Sequence, residues 1–258
     1  MYKVQVDQVT MQYPGVRGFS VDALKEISFN VKPGELVSVV GPSGCGKTTL
    51  LKIVGGLLRP SKGKVLIDGE DVNIARKKAK IGFVFQNPVL LPWRTAIKNV
   101  ELPLEVLGQS ARHQVDPLRV LKQVGLAGFE STYPSQLSGG MQSRVAIARA
   151  LVFDPEILLM DEPFGALDEI TREKLGEDLV RLWMETKKSI VFVTHSIPEA
   201  VFLAQRVVVL TARPAAVARI VSVGLPHPRT ADMQASREYI DRVGDVRNAL
   251  GLSWGSSS

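Results

Sequence analysis

Two hydrophobic rhythms divide the chain. Leu36 to Val40, Ile157 to Met160 and Ile190 to Thr194 are short, nearly continuous apolar runs, the pattern of strands buried on both faces. Helix-period sequence follows each of them, from about Lys47, Asp168 and Ile197. Strand followed by helix, repeated, predicts an α/β fold with a mainly parallel sheet covered by helices. Val4 to Val9 and Ile27 to Val31 instead alternate apolar and polar residues, with Tyr13-Pro14-Gly15 and Pro33-Gly34 as punctuation. That pattern predicts an antiparallel β addition.

Between Gln86 and Asp154 the rhythm becomes helical and is broken by Pro88, Pro92, Pro103, Gly108, Pro117, Gly125, Gly128 and Pro134. A helical insertion over about 87–154 is expected, within a domain spanning 1–225. After Pro226-His227-Pro228, a helix-period stretch carries Tyr239, Ile240, Val243, Val246 and Leu250 and ends in a polar tail, Trp254 to Ser258. Residues 226–258 are therefore expected to be a C-terminal helical extension with a disordered tail. No internal repeat of solenoid or propeller period is present.

The 258 residues suffice for a sizeable core. The formal charge of +6 raises the question of nucleic acid, but Lys and Arg are scattered among acidic neighbours. The densest run, Arg76-Lys77-Lys78-Ala79-Lys80, reads as a solvated loop face, and no nucleic-acid partner is expected. Cys45 is the only cysteine, so no intrachain disulfide forms, which fits a reducing compartment. The opening residues lack the apolar stretch of a secretion signal, and a cytosolic chain is expected. Val207 to Leu225, the most apolar long window, is interrupted by Arg213, Pro214 and Arg219, too often to span a bilayer.

Candidate chemistry begins at Gly41-Pro42-Ser43-Gly44-Cys45-Gly46-Lys47-Thr48, which has the phosphate-loop spacing and lies between a buried strand and a helix. Such glycines let backbone N–H groups point at phosphates, helped by the positive end of the following helix. Lys47 adds a mobile charge and Thr48 a hydroxyl for Mg²⁺; Thr49 completes the nucleotide-binding set. Cys45 occupies a variable position and reads as a small filler rather than a nucleophile. Ile157 to Met160 then delivers Asp161 as a second metal ligand and Glu162 as a group that polarises the attacking water. Taken alone, the two carboxylates read equally well as a solvated turn.

Leu137-Ser138-Gly139-Gly140-Met141, followed by Gln142 to Leu151, resembles the signature sequence of ATP-binding cassette proteins, although the usual fifth residue is Gln where this chain has Met141. The resemblance covers about Val4 to Val223. It implies a P-loop NTPase core of the RecA-like kind, ATP and Mg²⁺ as cofactors, and two copies facing head to tail. In that arrangement Ser138, Gly139 and Gly140 of one copy cap the ATP on the phosphate loop of the other. It further implies that Gln86, at the end of a strand expected over Ile81 to Phe85, contacts the metal and the attacking water, that Ala166-Leu167-Asp168 touches the partner copy, and that His195 holds the γ-phosphate. Tyr13 would stack on adenine; packing of the turn is its alternative. His113 and His227 read as structural.

Pro92-Trp93-Arg94-Thr95, Asp161 to Asp168, His195-Ser196-Ile197-Pro198-Glu199-Ala200 and Ala212-Arg213-Pro214 together resemble the ATPases of bacterial nitrate, sulfonate, taurine and bicarbonate importers. That resemblance implies separate permease subunits, a solute-binding protein beyond them, and attachment at the cytoplasmic face of the inner membrane. Pro88 to Val100 would then dock on the permease, with Trp93 exposed there or simply packed in the insertion. A soluble cassette ATPase acting on nucleic acid or the ribosome, and an export ATPase, are the competing readings.

Overall fold

The computed structural model describes residues 1–14, 20–108 and 115–251; His113 and the polar tail from Trp254 lie outside them. The central sheet has six strands in the order β10 (Val217–Ser222), β9 (Arg206–Leu210), β3 (Leu36–Val40), β8 (Ser189–Thr194), β7 (Ile157–Asp161) and β6 (Ile81–Val84). From β9 to β6 all neighbours run parallel, and β10 is antiparallel to β9 at the edge. The mainly parallel core expected from the apolar runs is present. Every residue of β3, β7 and β8 is buried, which is why these strands read as runs rather than alternations.

Period-two geometry sends their side chains to opposite faces. Leu158, Met160, Ile190, Phe192, Val207 and Val209 face a core shared with α5 (Gly139–Leu151), α6 (Glu169–Thr186) and α7 (Ile197–Leu203). Val37, Val39, Leu159, Val191, Val193 and Val208 face a second core shared with α1 (Lys47–Val54) and the other sheet. Each such side chain contributes about 1.5–3 kcal/mol by leaving water. The second sheet is the antiparallel addition, in the order β2 (Ser20–Val31), β1 (Val4–Pro14), β4 (Lys62–Ile67) and β5 (Glu70–Asp71).

Between β6 and β7 the chain forms α3 (Ala96–Leu107), α4 (Pro117–Gln123) and α5. Two local expectations need correction. The strand expected to reach Phe85 stops at Val84, because its ladder to β7 ends at the Val84–Met160 pair; Phe85 stacks on Phe83 instead, with centroids 4.4 Å apart. The basic run is not a loop face throughout. Arg76 and Lys77 lie on α2 (Val72–Lys77), Lys78 pairs with Glu70 at 2.7 Å, and Lys80 pairs with Asp68 at 2.9 Å and with Glu156 at 3.3 Å.

After β10 the chain packs back onto α6 and α7 and ends in α8 (Arg237–Ala249). His227 lies edge-on to Trp183, centroids 4.8 Å apart, with Nε2 3.3 Å from the Leu203 carbonyl. Burial, followed by the nearby Arg229 charge, lowers its pKa from 6.5 to about 4. A folded pKa below the unfolded one means that the unfolded chain takes up the proton first, so stability is lost as pH falls through that interval. The melting temperature should therefore drop between pH 6.5 and pH 4, and His227→Gln should drop less over the same range. Identical acid profiles for the two proteins in thermal melts would contradict this.

Candidate functional site

Parallel register assembles the site. Val40 stands beside Thr194 and Asp161 beside Val193, so the segments leaving β3, β7 and β8 emerge at one edge of the sheet. The first is the phosphate loop. Gly44 and Gly46 adopt φ of 72° and 121°, a region open to glycine. A Cβ on Gly46 would also lie 2.9 Å from Leu24 Cδ2, so a side chain there would be strained in conformation and would have to displace Leu24. Cys45 is buried with its thiol pKa pushed up by desolvation, in keeping with a neutral filler.

Lys47 opens α1. Its Nζ donates to the carbonyls of Gly41 at 3.0 Å and Pro42 at 3.2 Å, and stands 3.7 Å from Glu162 Oε1. The Thr48 hydroxyl donates to Asp161 Oδ1 at 3.1 Å. Asp161 is only 4% exposed, and burial raises its pKa against the Thr48 bond that lowers it. A buried carboxylate beside a hydroxyl is a hard-oxygen pair suited to Mg²⁺, which takes one or two protein oxygens together with phosphate oxygens.

Glu162 follows with φ of 44°, a left-handed conformation that costs a residue with a Cβ roughly 1–3 kcal/mol. Its N–H donates to Val193 O at 2.9 Å, which ties the turn to β8. Its carboxylate lies between two expected partners, with Oε2 2.8 Å from His195 Nδ1 and Oε1 facing Lys47. Asp161 and Glu162 thus point to different partners, and neither is a solvated turn residue. Tyr13 reaches the same region from β1, its hydroxyl 3.3 Å from Thr49 Oγ1.

Other expected residues stand apart. Gln86 lies just past β6, exposed, and its side chain makes no hydrogen bond among the described residues. Ser138 caps α5, its Oγ accepting from the Met141 N–H at 3.3 Å. Gly140 is buried where a Cβ would come within 2.8 Å of Thr171 Cγ2, so the glycine permits close packing of α5 on α6. Met141 packs against the core instead of facing outward. Asp168 caps α6, accepting from the Thr171 N–H at 2.9 Å, which holds its carboxyl below the usual range. Among the described residues no hydrogen bond or ion pair joins Ser138, Gly139 or Gly140 to the segment from Gly41 to Thr49.

Several supporting residues escaped the sequence reading. Wholly buried Asn99 accepts from the Leu91 N–H at 2.7 Å and donates to the carbonyls of Leu91, Arg94 and Thr95. Arg149 donates to the carbonyls of Pro88 and Val89 at 2.6 and 2.8 Å. Together they brace the segment after Gln86 and leave Trp93 72% exposed, so Trp93 is not packed within the insertion. Beside this segment runs an apolar groove of about 620 Å³, lined by Phe83, Phe85, Val89, Leu102, Val106 and Phe153 among others. Glu199, quoted above only as part of a family motif, was given no role of its own, although Ser196-Ile197-Pro198-Glu199 has capping-box spacing that marks it as a start-of-helix residue.

A glycine loop between a buried parallel strand and a helix, facing an acidic pair at a neighbouring strand end, defines a P-loop nucleotide hydrolase. Comparison with known proteins narrows the class. The ABC transporter family model matches residues 24–165. An uncharacterised ABC transporter ATP-binding protein of Methanocaldococcus jannaschii is 48% identical over 249 residues, covering 96% of this chain and 91% of the relative. The taurine import ATP-binding protein of Yersinia pestis is 48% identical over 87% of this chain and 89% of its own length. The aliphatic sulfonates import ATP-binding protein of Bacillus cereus is 41% identical over 93% and 94%. A dimeric ATP-binding cassette solved in a post-hydrolysis state with ADP and Pi superposes with a TM-score of 0.74 at 39% identity, over 85% of this chain and 98% of that one. The chain belongs to the ABC transporter family and is one of its ATPases.

Proposed function

We propose that this chain is the ATP-hydrolysing subunit of a bacterial importer, closing as a head-to-tail pair around two Mg-ATP to drive a separate membrane permease. The observation that carries the reading is the division of the site. Lys47, Thr48, Asp161, Glu162 and His195 converge at one sheet edge, whereas Ser138, Gly139 and Gly140 make no bond with them. A second copy supplies the missing half, in keeping with the dimeric cassette that this fold resembles.

In this reading the N–H groups of the phosphate loop and Lys47 hold the β- and γ-phosphates, and Tyr13 stacks on the adenine. Thr48 and Asp161 would hold Mg²⁺, with Gln86 as a further contact, and the ion would supply neutralisation of phosphate charge. Glu162 accepts the proton of the attacking water as its oxygen bonds the γ-phosphorus and the bond to the ADP oxygen breaks. His195, in contact with Glu162, orients the transferred phosphate. Ser138 of the opposing copy donates its hydroxyl to the γ-phosphate, and Gly139 and Gly140 let the start of α5 approach closely.

The exposed Trp93, its braced segment and the neighbouring apolar groove form the permease-docking face. Among the described residues no helix is long and apolar enough to cross a membrane, which suits a peripheral subunit on the cytoplasmic side of the inner membrane. The taurine and sulfonate import relatives favour a small anionic solute, such as a sulfonate, taurine, nitrate or bicarbonate, delivered by a solute-binding protein. Lys78 and Lys80 are engaged by carboxylates, which weakens the case for a nucleic-acid partner.

Glu162→Gln should bind ATP as the parent does and accumulate as an ATP-stabilised dimer, with turnover down by about 100-fold or more, the scale of a lost general base. Phosphate release at the parental rate would remove Glu162 as that base. Trp93→Ala should keep its basal ATPase activity and lose co-purification with its permease from detergent-solubilised membranes. Undiminished co-purification would move the docking face elsewhere.

A further inference from the structure

α7 begins two residues after His195, and the segment that follows β10 grips it at both ends. At its start, the Tyr239 hydroxyl on α8 donates to Pro198 O at 2.8 Å. At its far end the buried Arg229 guanidinium donates to the carbonyls of Val201, Phe202 and Ala204, and to Leu225 O at 3.0 Å. The last carbonyls of a helix lack internal partners and carry partial negative charge, so a guanidinium is stabilised there without a carboxylate.

A ring of bonds links the start of α7 to His195. The Thr194 hydroxyl donates to Glu199 Oε2, the Ser196 N–H donates to Thr194 Oγ1 at 3.0 Å, and the Glu199 N–H donates to Ser196 Oγ at 3.3 Å. Thr194 and Ser196 are the residues on either side of His195, so Glu199 fixes the backbone that aims the imidazole. Among the described residues, the other carboxyl oxygen of Glu199 is buried with no hydrogen-bond partner. Below it lies a cavity of about 110 Å³ lined by Arg172, Ser196, Glu199, Phe202, Gln234 and Tyr239 among others. Tyr239 lines this cavity, and its bond to Pro198 O ties α8 to the start of α7 beside Glu199.

We infer that the C-terminal segment is a positioning element for His195, with Tyr239 acting through Pro198 and Glu199 acting through Thr194 and Ser196. Neither residue touches nucleotide. The inference rests on the proposed contact of His195 with the γ-phosphate. It gives residues 226–251 a part in the nucleotide cycle although they lie after the sheet and make none of the phosphate contacts.

The test uses the full chain carrying Tyr239→Phe, which keeps the buried ring and removes only the hydroxyl. Steady-state turnover is measured beside ADP affinity, because ADP lacks the γ-phosphate, and both are repeated in a His195→Ala background with a radiolabelled-phosphate assay. Turnover should fall about fivefold, the factor carried by one neutral hydrogen bond, while ADP affinity is unchanged. In the His195→Ala background the same substitution should have no further effect on the residual rate. Unchanged turnover in Tyr239→Phe, an equal fold-loss in both backgrounds, or a parallel loss of ADP affinity would each overturn the inference. Parental turnover in His195→Ala alone would instead strike down the phosphate role of His195, a distinct result visible before Tyr239 is altered.

Discussion

The site depends on one constraint, the common parallel register of β3, β7 and β8. Those strands place Val40 beside Thr194 and Asp161 beside Val193, and so bring three distant stretches of chain to one edge. A slip of one residue in β7 would turn its side chains to the opposite faces. Asp161 would leave Thr48, and Met160 would turn from the core beneath α5 and α6 to the one beneath α1. The apolar runs that make this register hold are buried on both faces, so the hydrophobic energy that stabilises the sheet also sets the position of the carboxylates.

In the proposed reading the chain carries two half-sites rather than one whole. Gly46, in its left-handed loop against Leu24, and Gly140, pressed on Thr171, answer different needs. The first lets backbone N–H groups wrap a phosphate; the second lets α5 lie close on α6, with Ser138 presented at its exposed start. α5 belongs to the chain between β6 and β7, so the residues of the signature and those of the phosphate loop come from separate segments that pack on the same sheet. Asn99 on α3 and Arg149 on α5 brace the Trp93 segment against the helices that carry the signature.

Much of this was legible in the sequence, for identifiable reasons. Buried parallel strands leave continuous apolar runs, and phosphate loops leave glycines at spacings that chemistry demands; β3, β7, β8 and the Gly41 loop were readable on those grounds. Lys47, Glu162 and His195, named from separate motifs, meet in one line of contacts. What escaped was polar and distant in sequence. Arg229 caps a helix more than twenty residues before it, and Lys80 finds Glu156 across the chain; neither contact leaves a periodic sign. The end of β6 was misplaced because an edge ladder stops where its neighbour's pairing stops, which composition does not reveal.

The claim that each site is built from two copies is tested most directly by mixing two inactive chains. One carries Lys47→Ala and the other Ser138→Arg, at the exposed start of α5. In a head-to-tail mixed pair, one site receives both lesions and the other receives none. Equal mixing should restore ATPase activity to about a quarter of the parental rate, the share expected from random pairing into two-fold dimers. A mixture no more active than its separate components would mean that each chain completes its own site, and would contradict the account.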